Sequence, residues 1–534
     1  MNFIKLNKYV IISSILLISA IVSNLFLSYY IIPKRYIGVD QLQHFYDMKK
    51  WYESGKIPTT STRFIASRVI DEEYTTARVP GGAYYIFYTL FYKLSSESLL
   101  GAKIINLIFN LIIISIFLFW FYKKFGLISV AFISPLILCN GYFILSIVNF
   151  WNPSLSLIFS FIFFIFLFEY IDKNEEDDKR KIIVRISAVF LFPILAVIAQ
   201  GHFFTFFSDI PTLIIYLIIR YKRTLKYFKF FSLGVFISFL LYLPYLISEL
   251  QNNFNNLNMI FTLKESLGKF TFPQIHFIFL FPTNEMSFLY GTKIDAIINF
   301  WKLYPFKILG ISFLFISVIF SFACFCRALY FYFNKKYIAQ SNNEKNILEM
   351  FTIFLLFIPI TIIINLLAGG KIAVVHYLYS IFALSYIPII LFFIQFSMKN
   401  NNKFLYIIYS MLIINTFVIS IQLITYINNY EKPMDMESVK LITKSISELE
   451  YSDGIKIVRP FDPVTDGFYN DFAKILFPEF VFNENSSSSN ILTIINKQYF
   501  WNLNSQYASN YINNIKETSR LITNNSLLYL YKSN

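Results

Sequence analysis

Long apolar runs separated by short polar segments occupy the first 427 residues of the chain. Residues 9–33 form the first run, which exceeds the roughly 20 residues that a membrane-spanning helix needs. Similar runs recur as far as residue 427 and predict an all-α polytopic membrane domain, 1–427, with about 11 spans. The first run lacks a small-residue cleavage site, so we expect it to remain as an anchor.

Lysine and arginine in the polar segments predict the orientation of the spans. Lys5 and Lys8 precede the first run, and positive charge at such a place favours the cytoplasmic side. The predicted N-terminus is therefore cytoplasmic, and residues 34–98 and 251–305 form two long extracytoplasmic loops. Residues 183–220 lie between two charged cytoplasmic segments, which predicts a hairpin of two short helices with a tip at 200–202 that faces a cavity.

The composition changes after residue 427. Residues 428–534 are polar and contain short β-like runs at 454–458 and 527–531. This length is ordinary for a small domain. We therefore expect an extracytoplasmic α/β domain with the C-terminus outside the membrane.

Overall composition supports the membrane assignment and excludes other classes. The chain is 56% hydrophobic and 15% charged, whereas soluble proteins carry about 25% charged residues. The net charge of +14 does not indicate a nucleic-acid partner, because most basic residues lie in short loops between spans. The three cysteines fall in apolar runs, so neither a disulfide framework nor a zinc site is indicated. Walker, dinucleotide, HExxH and GxSxG motifs are absent from the sequence.

Candidate chemistry concentrates in residues 34–98, a loop far longer than the usual 4–6 residues or so of a simple connection. Asp40 is its carboxylate nearest to the membrane. Two interpretations of Asp40 stay open, a general base and the N-cap of a helix that begins there. Asp47, Glu53 and the acids at 71–73 are expected to be solvated or paired with arginines; these arginines are Arg63, Arg68 and Arg78.

Histidines and cations of the outer face complete the candidate set. In the predicted topology every histidine lies outside, namely His44, His202, His276 and His376. A site on this face is one interpretation, and ordinary polarity of outer loops is the other. Cations near the membrane surface suit a lipid-linked phosphate, which gains charge as its bond breaks; they are Arg63, Arg68, Arg78, Lys371 and His376. For any single basic residue, anchoring at the interface is the simpler interpretation.

Short motifs follow one another in a recognisable order. After Asp40 come ESGKIP (53–58), PGGAYY (80–85), WNP (151–153), QGH (200–202), LPYLISEL (243–250) and HYL (376–378). Over about residues 36–378 this order resembles that of bacterial membrane glycosyltransferases of the protein-mannosyltransferase and aminoarabinose-transferase type. These enzymes have the C-type glycosyltransferase fold, with helices along the membrane in the first outer loop and an outer C-terminal domain.

The resemblance implies an inverting glycosyltransferase of the bacterial cytoplasmic membrane. The donor would be a polyprenyl-phosphate sugar, the acceptor an extracytoplasmic lipid, glycan or protein, and Asp40 the base. Groups near the donor phosphate would be Tyr84, Tyr85, Lys371 and His376, beside the cations Arg63 and Arg78, and the cavity would be lined by His44, Trp151, Asn152, Gln200 and His202. The partners would thus be the bilayer, the donor and the acceptor, without a cofactor. Gln41 follows Asp40 where the family has a second acid, so a divalent metal is not indicated.

Two other functions fit the architecture less well. An O-antigen-type polymerase or ligase would be expected to carry several arginines in a later outer loop, and residues 251–305 contain none. A transporter or flippase of lipid-linked glycans would show an internal repeat of hydropathy, and no convincing repeat is visible.

Overall fold

The structure is a computed structural model. It describes residues 2–35, 39–63, 77–172, 178–262, 277–283, 307–334, 339, 341–367, 375–397, 402–429, 492–496, 519–524 and 528–533.

Most of the described chain is helical. The first eight helices are α1 (Asn2–Ile31), α2 (Val39–Ser54), α3 (Ala83–Leu94), α4 (Leu99–Leu138), α5 (Gly141–Ile147), α6 (Asn152–Ile171), α7 (Asp178–Gly201) and α8 (Phe204–Ile219). They are followed by α9 (Tyr221–Lys226), α10 (Phe228–Gln251), α11 (Asn255–Thr262), α12 (Phe277–Leu280), α13 (Lys307–Phe333), α14 (Asn342–Leu367), α15 (Ile387–Ser397) and α16 (Asn402–Asn429). Short 3-10 helices lie at Phe281–Thr283, Val375–Ile381 and Leu384–Tyr386.

Eight of the described helices are long and apolar enough to cross a membrane, or nine if the bent pair Val375–Ile381 and Leu384–Gln395 counts as one span. The protein is therefore a multi-pass membrane protein. Helix α8 is apolar but has only 16 residues, which agrees with a short hairpin of α7 and α8. The count of about 11 spans and the orientation of the termini stay predictions.

Helix α4 explains part of the difference between the predicted number of spans and the number of long apolar helices among the described residues. It has 40 residues and so a length of about 60 Å at 1.5 Å per residue, about twice the hydrocarbon thickness. It is broken at Gly126, whose φ of 81° and ψ of 173° suit glycine alone. The apolar runs at 99–122 and 126–147 predict two spans here. The break matches their boundary, but the second piece is divided between the end of α4 and the separate helix α5.

The described part of residues 34–98, the predicted first outer loop, contains two helices and a short β-ribbon. Strand β1 (Thr60–Arg63) pairs antiparallel with β2 (Arg78–Pro80), and Arg63 lies opposite Arg78. The resemblance implies helices along the membrane in this loop but not the ribbon, and strands of four and three residues show no usable alternation in the sequence. The ribbon brings the two arginines to one place.

An ion cluster ties the helices together at the C-terminal end of α6, the end opposite Trp151. Glu169 accepts a hydrogen bond from the indole of Trp120 at 2.5 Å and lies 2.9 Å from the Nζ of Lys124. Arg180 of α7 contacts both Glu169 and Asp172. These contacts join α4, α6 and α7, and so hold the scaffold from which the site is built.

The C-terminal segment contributes a three-stranded antiparallel sheet. Its strands are β3 (Leu492–Asn496), β4 (Ser519–Asn524) and β5 (Leu528–Ser533), in the order β3-β5-β4. Strand β5 overlaps the predicted β-run at 527–531, whereas the run at 454–458 lies outside the described residues. The domain division at residue 427 stays a prediction.

Candidate active site

One face of α2 carries the polar residues from which the site is built. Asp40, His44, Asp47 and Trp51 are spaced by four, three and four residues, which places them in one stripe along a helix. Asp40 is the second residue of α2, so its charge also lies near the positive end of the helix dipole. The stripe directs three ionisable groups toward the elements that pack on α2.

Asp40 contacts the turn before α6. The indole Nε1 of Trp151 donates a hydrogen bond to its Oδ2 at 3.3 Å. Burial raises the pKa of the Asp40 carboxyl above its ordinary value, and the Trp151 hydrogen bond opposes this rise. A carboxylate in such surroundings is a stronger base than an exposed one, because its charged form has lost solvation.

His44 is fixed by the same turn. Its Nε2 lies 3.2 Å from the Oδ1 of Asn152, whose Nδ2 donates to the carbonyl oxygen of Gly201 at 3.0 Å. Burial is the largest effect and lowers the pKa of the His44 imidazole to about 3. The nearby charge of Asp47 raises this pKa by a smaller amount, and that of Arg78 lowers it. His44 is therefore neutral at physiological pH.

Aromatic and histidine rings form a continuous layer beside Asp40. The ring of Trp151 lies 4.8 Å from that of His376, which stacks on Tyr377 at 4.9 Å. His202 lies 5.5 Å from His376 and 4.7 Å from Tyr377. The layer thus brings together residues from α2, the WNP turn, the α7–α8 hairpin and the Val375–Ile381 helix. Tyr377 was not among the predicted site residues.

Among the described residues, no group of three or more histidine, cysteine, aspartate or glutamate side chains could hold a metal ion.

Asp47 is the centre of a buried ion network two helical turns from Asp40. Arg78 binds it with two nitrogens, at 2.8 Å and 3.1 Å, and the hydroxyl of Tyr85 donates to it at 3.1 Å. The Nη2 of Arg63 lies 3.9 Å away. The predicted pairing of Asp47 with arginines is seen for Arg63 and Arg78, whereas Arg68 lies outside the described residues. Two-nitrogen binding of this kind fixes the orientation of a guanidinium.

A cavity of about 230 Å³ opens beside this network. Its lining contains the cations Lys50, Lys56 and Arg78, the acid Asp47, the indole of Trp51 and the hydroxyls of Ser54, Thr59 and Thr60. Three cations against one carboxylate make the described lining positive, which favours an anionic ligand. Lys50 and Lys56 were not among the predicted site residues.

The Pro-Gly-Gly turn packs β2 and α3 against the hairpin tip. A side chain at Gly81 would lie 2.4 Å from Gln200, and one at Gly82 would lie 1.8 Å from the carbonyl oxygen of Pro58. Gln200 in turn accepts a hydrogen bond from the backbone N–H of Ala83 at 2.9 Å. This satisfies a donor of the first turn of α3, which has no side-chain cap. Gln200 therefore positions α3 and its tyrosines.

Asn256 of α11 is a site residue that the sequence did not indicate. Its Oδ1 accepts from the backbone N–H of Arg78 at 2.7 Å, and its Nδ2 donates to the Arg78 carbonyl oxygen at 3.0 Å. The same Nδ2 lies 3.1 Å from the hydroxyl of Tyr245. Asn256 thus continues the edge of β2 as a third strand would.

The remaining predicted residues are placed as follows. The Tyr84 ring lies 5.3 Å from that of His44, so it faces the Asp40 side of the site. Tyr85 contacts Asp47. Lys371 and His276 lie outside the described residues.

No family model matches the chain, and no curated protein matches it. The structure is similar to two solved structures of ArnT from Cupriavidus metallidurans, one in the apo state and one bound to undecaprenyl phosphate. The TM-scores are 0.46 and 0.44, with 10% sequence identity in each case, and each match covers 96% of this chain and 97% of the other.

Proposed function

We propose that the protein is an inverting glycosyltransferase of a bacterial cytoplasmic membrane. It moves a sugar from a polyprenyl-phosphate donor to an extracytoplasmic lipid, glycan or protein acceptor. The donor class is what the resemblance to the membrane glycosyltransferases implies. The observation that carries the proposal is the half-buried carboxylate of Asp40 on the same face of α2 as Asp47, which binds a pair of arginines.

Asp40 acts as the general base. It takes the proton of an acceptor hydroxyl or amine while the acceptor atom bonds to the anomeric carbon. The bond from that carbon to the phosphate oxygen breaks, and polyprenyl phosphate leaves with the electron pair. The raised pKa of Asp40 supports this role, because a base is most effective when its pKa approaches the working pH.

The spacing along α2 suits inversion. Asp40 and Asp47 are seven residues apart, which is about 10 Å along the helix axis at 1.5 Å per residue. In an inverting reaction the base and the leaving group lie on opposite sides of the anomeric carbon. The two carboxyl groups of inverting glycosidases are roughly 6.5–9.5 Å apart for the same reason. In this proposal the acceptor atom, the sugar ring and the phosphate lie between Asp40 and the arginines.

The phosphate lies at the arginine pair in this proposal. Asp47 and Asn256 orient Arg78, and Lys50 and Lys56 add positive charge in the adjoining cavity. Oriented cations stabilise the charge that develops on a leaving phosphate. Tyr84, Lys371 and His376 remain proposed neighbours of the donor, while Tyr85 acts through Asp47.

The test is the substitution Asp40→Asn in the native host. Membrane expression is measured first, and surface glycans and lipid-linked sugars are then compared by mass spectrometry with wild type and a deletion strain. We expect loss of one surface sugar together with accumulation of the corresponding polyprenyl-phosphate sugar. Asp178→Asn is the control, because it removes an exposed carboxylate at the start of α7. Unchanged glycans in the Asp40→Asn strain, when deletion alters them, would show that Asp40 is not the base.

A further inference from the structure

The amide of Asn152 determines which nitrogen of His44 carries a proton. The carbonyl oxygen of Gly201 can only accept a hydrogen bond, so the atom of Asn152 that faces it at 3.0 Å is Nδ2. The Oδ1 of Asn152 therefore faces His44, and the Nε2 of His44 must donate to it. In the neutral imidazole this leaves Nδ1 without a proton, as an acceptor.

This acceptor is buried and unpaired within the described part of the chain. His44 is 7% exposed, and its Nδ1 has no hydrogen-bond partner among the described residues. Burial lowers the pKa of His44 to about 3, so protonation does not remove the acceptor at neutral pH. Buried polar atoms are nearly always hydrogen-bonded, so this acceptor suits a donor group that a ligand supplies.

A complementary donor lies next to it. Tyr84 is 1% exposed, and its ring stands edge-on to that of His44 at 5.3 Å. Its hydroxyl also has no partner among the residues that the structure describes. Burial raises the pKa of Tyr84 well above its ordinary value, so the hydroxyl keeps its proton. One acceptor and one donor thus stand together beside Asp40.

We propose that His44 Nδ1 and the Tyr84 hydroxyl bind neighbouring hydroxyl groups of the sugar that the enzyme transfers. One sugar hydroxyl donates to His44, and another accepts from Tyr84. The ligand class is therefore a sugar with two free adjacent hydroxyls, and the pair determines specificity. A site that hydrogen-bonds a substrate hydroxyl strongly rejects an analogue that lacks it, since its buried polar groups then stay unpaired. The inference rests on the proposed function.

Two substitutions of His44 separate this role from a structural one. Asparagine places its amide atoms near the position of Nδ1, so His44→Asn keeps an acceptor there but loses the contact with Asn152. Glutamine places its amide near Nε2, so His44→Gln keeps the contact with Asn152 but loses the acceptor. A purely structural His44 tolerates glutamine better, and a sugar-binding His44 tolerates asparagine better.

The experiment purifies the full-length protein from its native host in an Asp40→Asn background, which blocks turnover. Mass spectrometry then measures the copurified polyprenyl-phosphate sugar relative to bare polyprenyl phosphate. We expect this ratio to fall at least tenfold in His44→Gln and in Tyr84→Phe and to stay within threefold in His44→Asn. Bare polyprenyl phosphate, which has no sugar hydroxyl, should copurify equally with all three variants.

The outcomes that overturn the inference are distinct. A normal ratio in His44→Gln with a low ratio in His44→Asn would show that His44 only supports Asn152. A normal ratio in Tyr84→Phe would remove the donor from the site. Equal losses in both His44 variants with a normal Tyr84→Phe would likewise show a structural role. Absence of any polyprenyl-linked sugar from the Asp40→Asn protein itself would refute the proposed function and this inference with it.

Discussion

Trp151 donates a hydrogen bond from its indole Nε1 to the Oδ2 of Asp40 at 3.3 Å, across 111 residues of the chain. The bond joins the first turn of α2 to the turn that begins α6. Because an N–H donor stabilises the charged form of a carboxyl group, it favours the ionised state of Asp40 against the effect of burial.

The substitution Trp151→Phe should shift the pH dependence of sugar transfer toward higher pH. A base works only when deprotonated, so the rate rises with pH through the pKa of Asp40. Burial raises that pKa and the indole lowers it, so loss of the indole raises it further. We expect the acidic limb to move to higher pH with a smaller change in the plateau rate, measured as consumption of lipid-linked sugar by isolated membranes.

Trp120→Phe is the matched control for this experiment. It also removes an indole hydrogen bond, but the one to Glu169 at the opposite end of α6. Its acidic limb should coincide with that of wild type. An unmoved or oppositely moved limb in Trp151→Phe would contradict the role given to the indole.

Asp47→Asn should destabilise the first outer loop. Asp47 is 3% exposed and is bound by Arg78 and Tyr85, so its neutralisation leaves buried positive charge. Removal of one member of a buried ion pair typically costs about 3–5 kcal/mol. Thermal unfolding in detergent should show a clearly lower midpoint, and Arg78→Gln should show a comparable loss.

Glu53→Gln is the control, because it breaks only an exposed pair with Lys49. If Asp47→Asn and Glu53→Gln unfolded alike, the network would not hold the loop.

The sequence predicted much of the frame of the site but few of its contacts. Hydropathy and charge placed the first outer loop and the hairpin tip on one face, and the structure brings Asp40, Trp151 and His202 together there. Contacts such as that of Asn256 with Arg78 join residues 178 positions apart, and no local periodicity encodes them. The β-ribbon was missed for a similar reason, since a strand of three residues is defined by its partner.

Gly82→Ala should impair both stability and transfer. A Cβ at this position would lie 1.8 Å from the backbone oxygen of Pro58, so the turn before α3 has to move. Overpacking of this kind typically costs about 1–3 kcal/mol, and the movement would also displace Tyr84 and Tyr85. We expect a lower midpoint of thermal unfolding and at least a tenfold lower rate.

Gly55→Asn provides the comparison. Gly55 has a φ of +63°, and a Cβ added there would meet nothing within 4 Å. Asparagine tolerates this left-handed conformation better than most residues. The stability and activity of the variant should stay close to those of wild type. Equal defects in the two variants would mean that flexibility of the loop, rather than the contact with Pro58, is what matters.

The double substitution Lys50→Gln with Lys56→Gln should weaken donor binding more than it slows turnover. Both lysines line the cavity beside Arg78, so their charge should attract the donor phosphate without contacting the anomeric carbon. Such contacts act similarly in the ground state and the transition state, and their loss raises KM with little change in kcat. The KM for the lipid-linked sugar should rise about tenfold, and the rise should shrink at high salt because exposed charges are screened.

Lys49→Gln removes a neighbouring charge that pairs with Glu53, and it should leave KM unchanged. The same rise in KM from Lys49→Gln would mean that general positive charge of α2, not the cavity, attracts the donor.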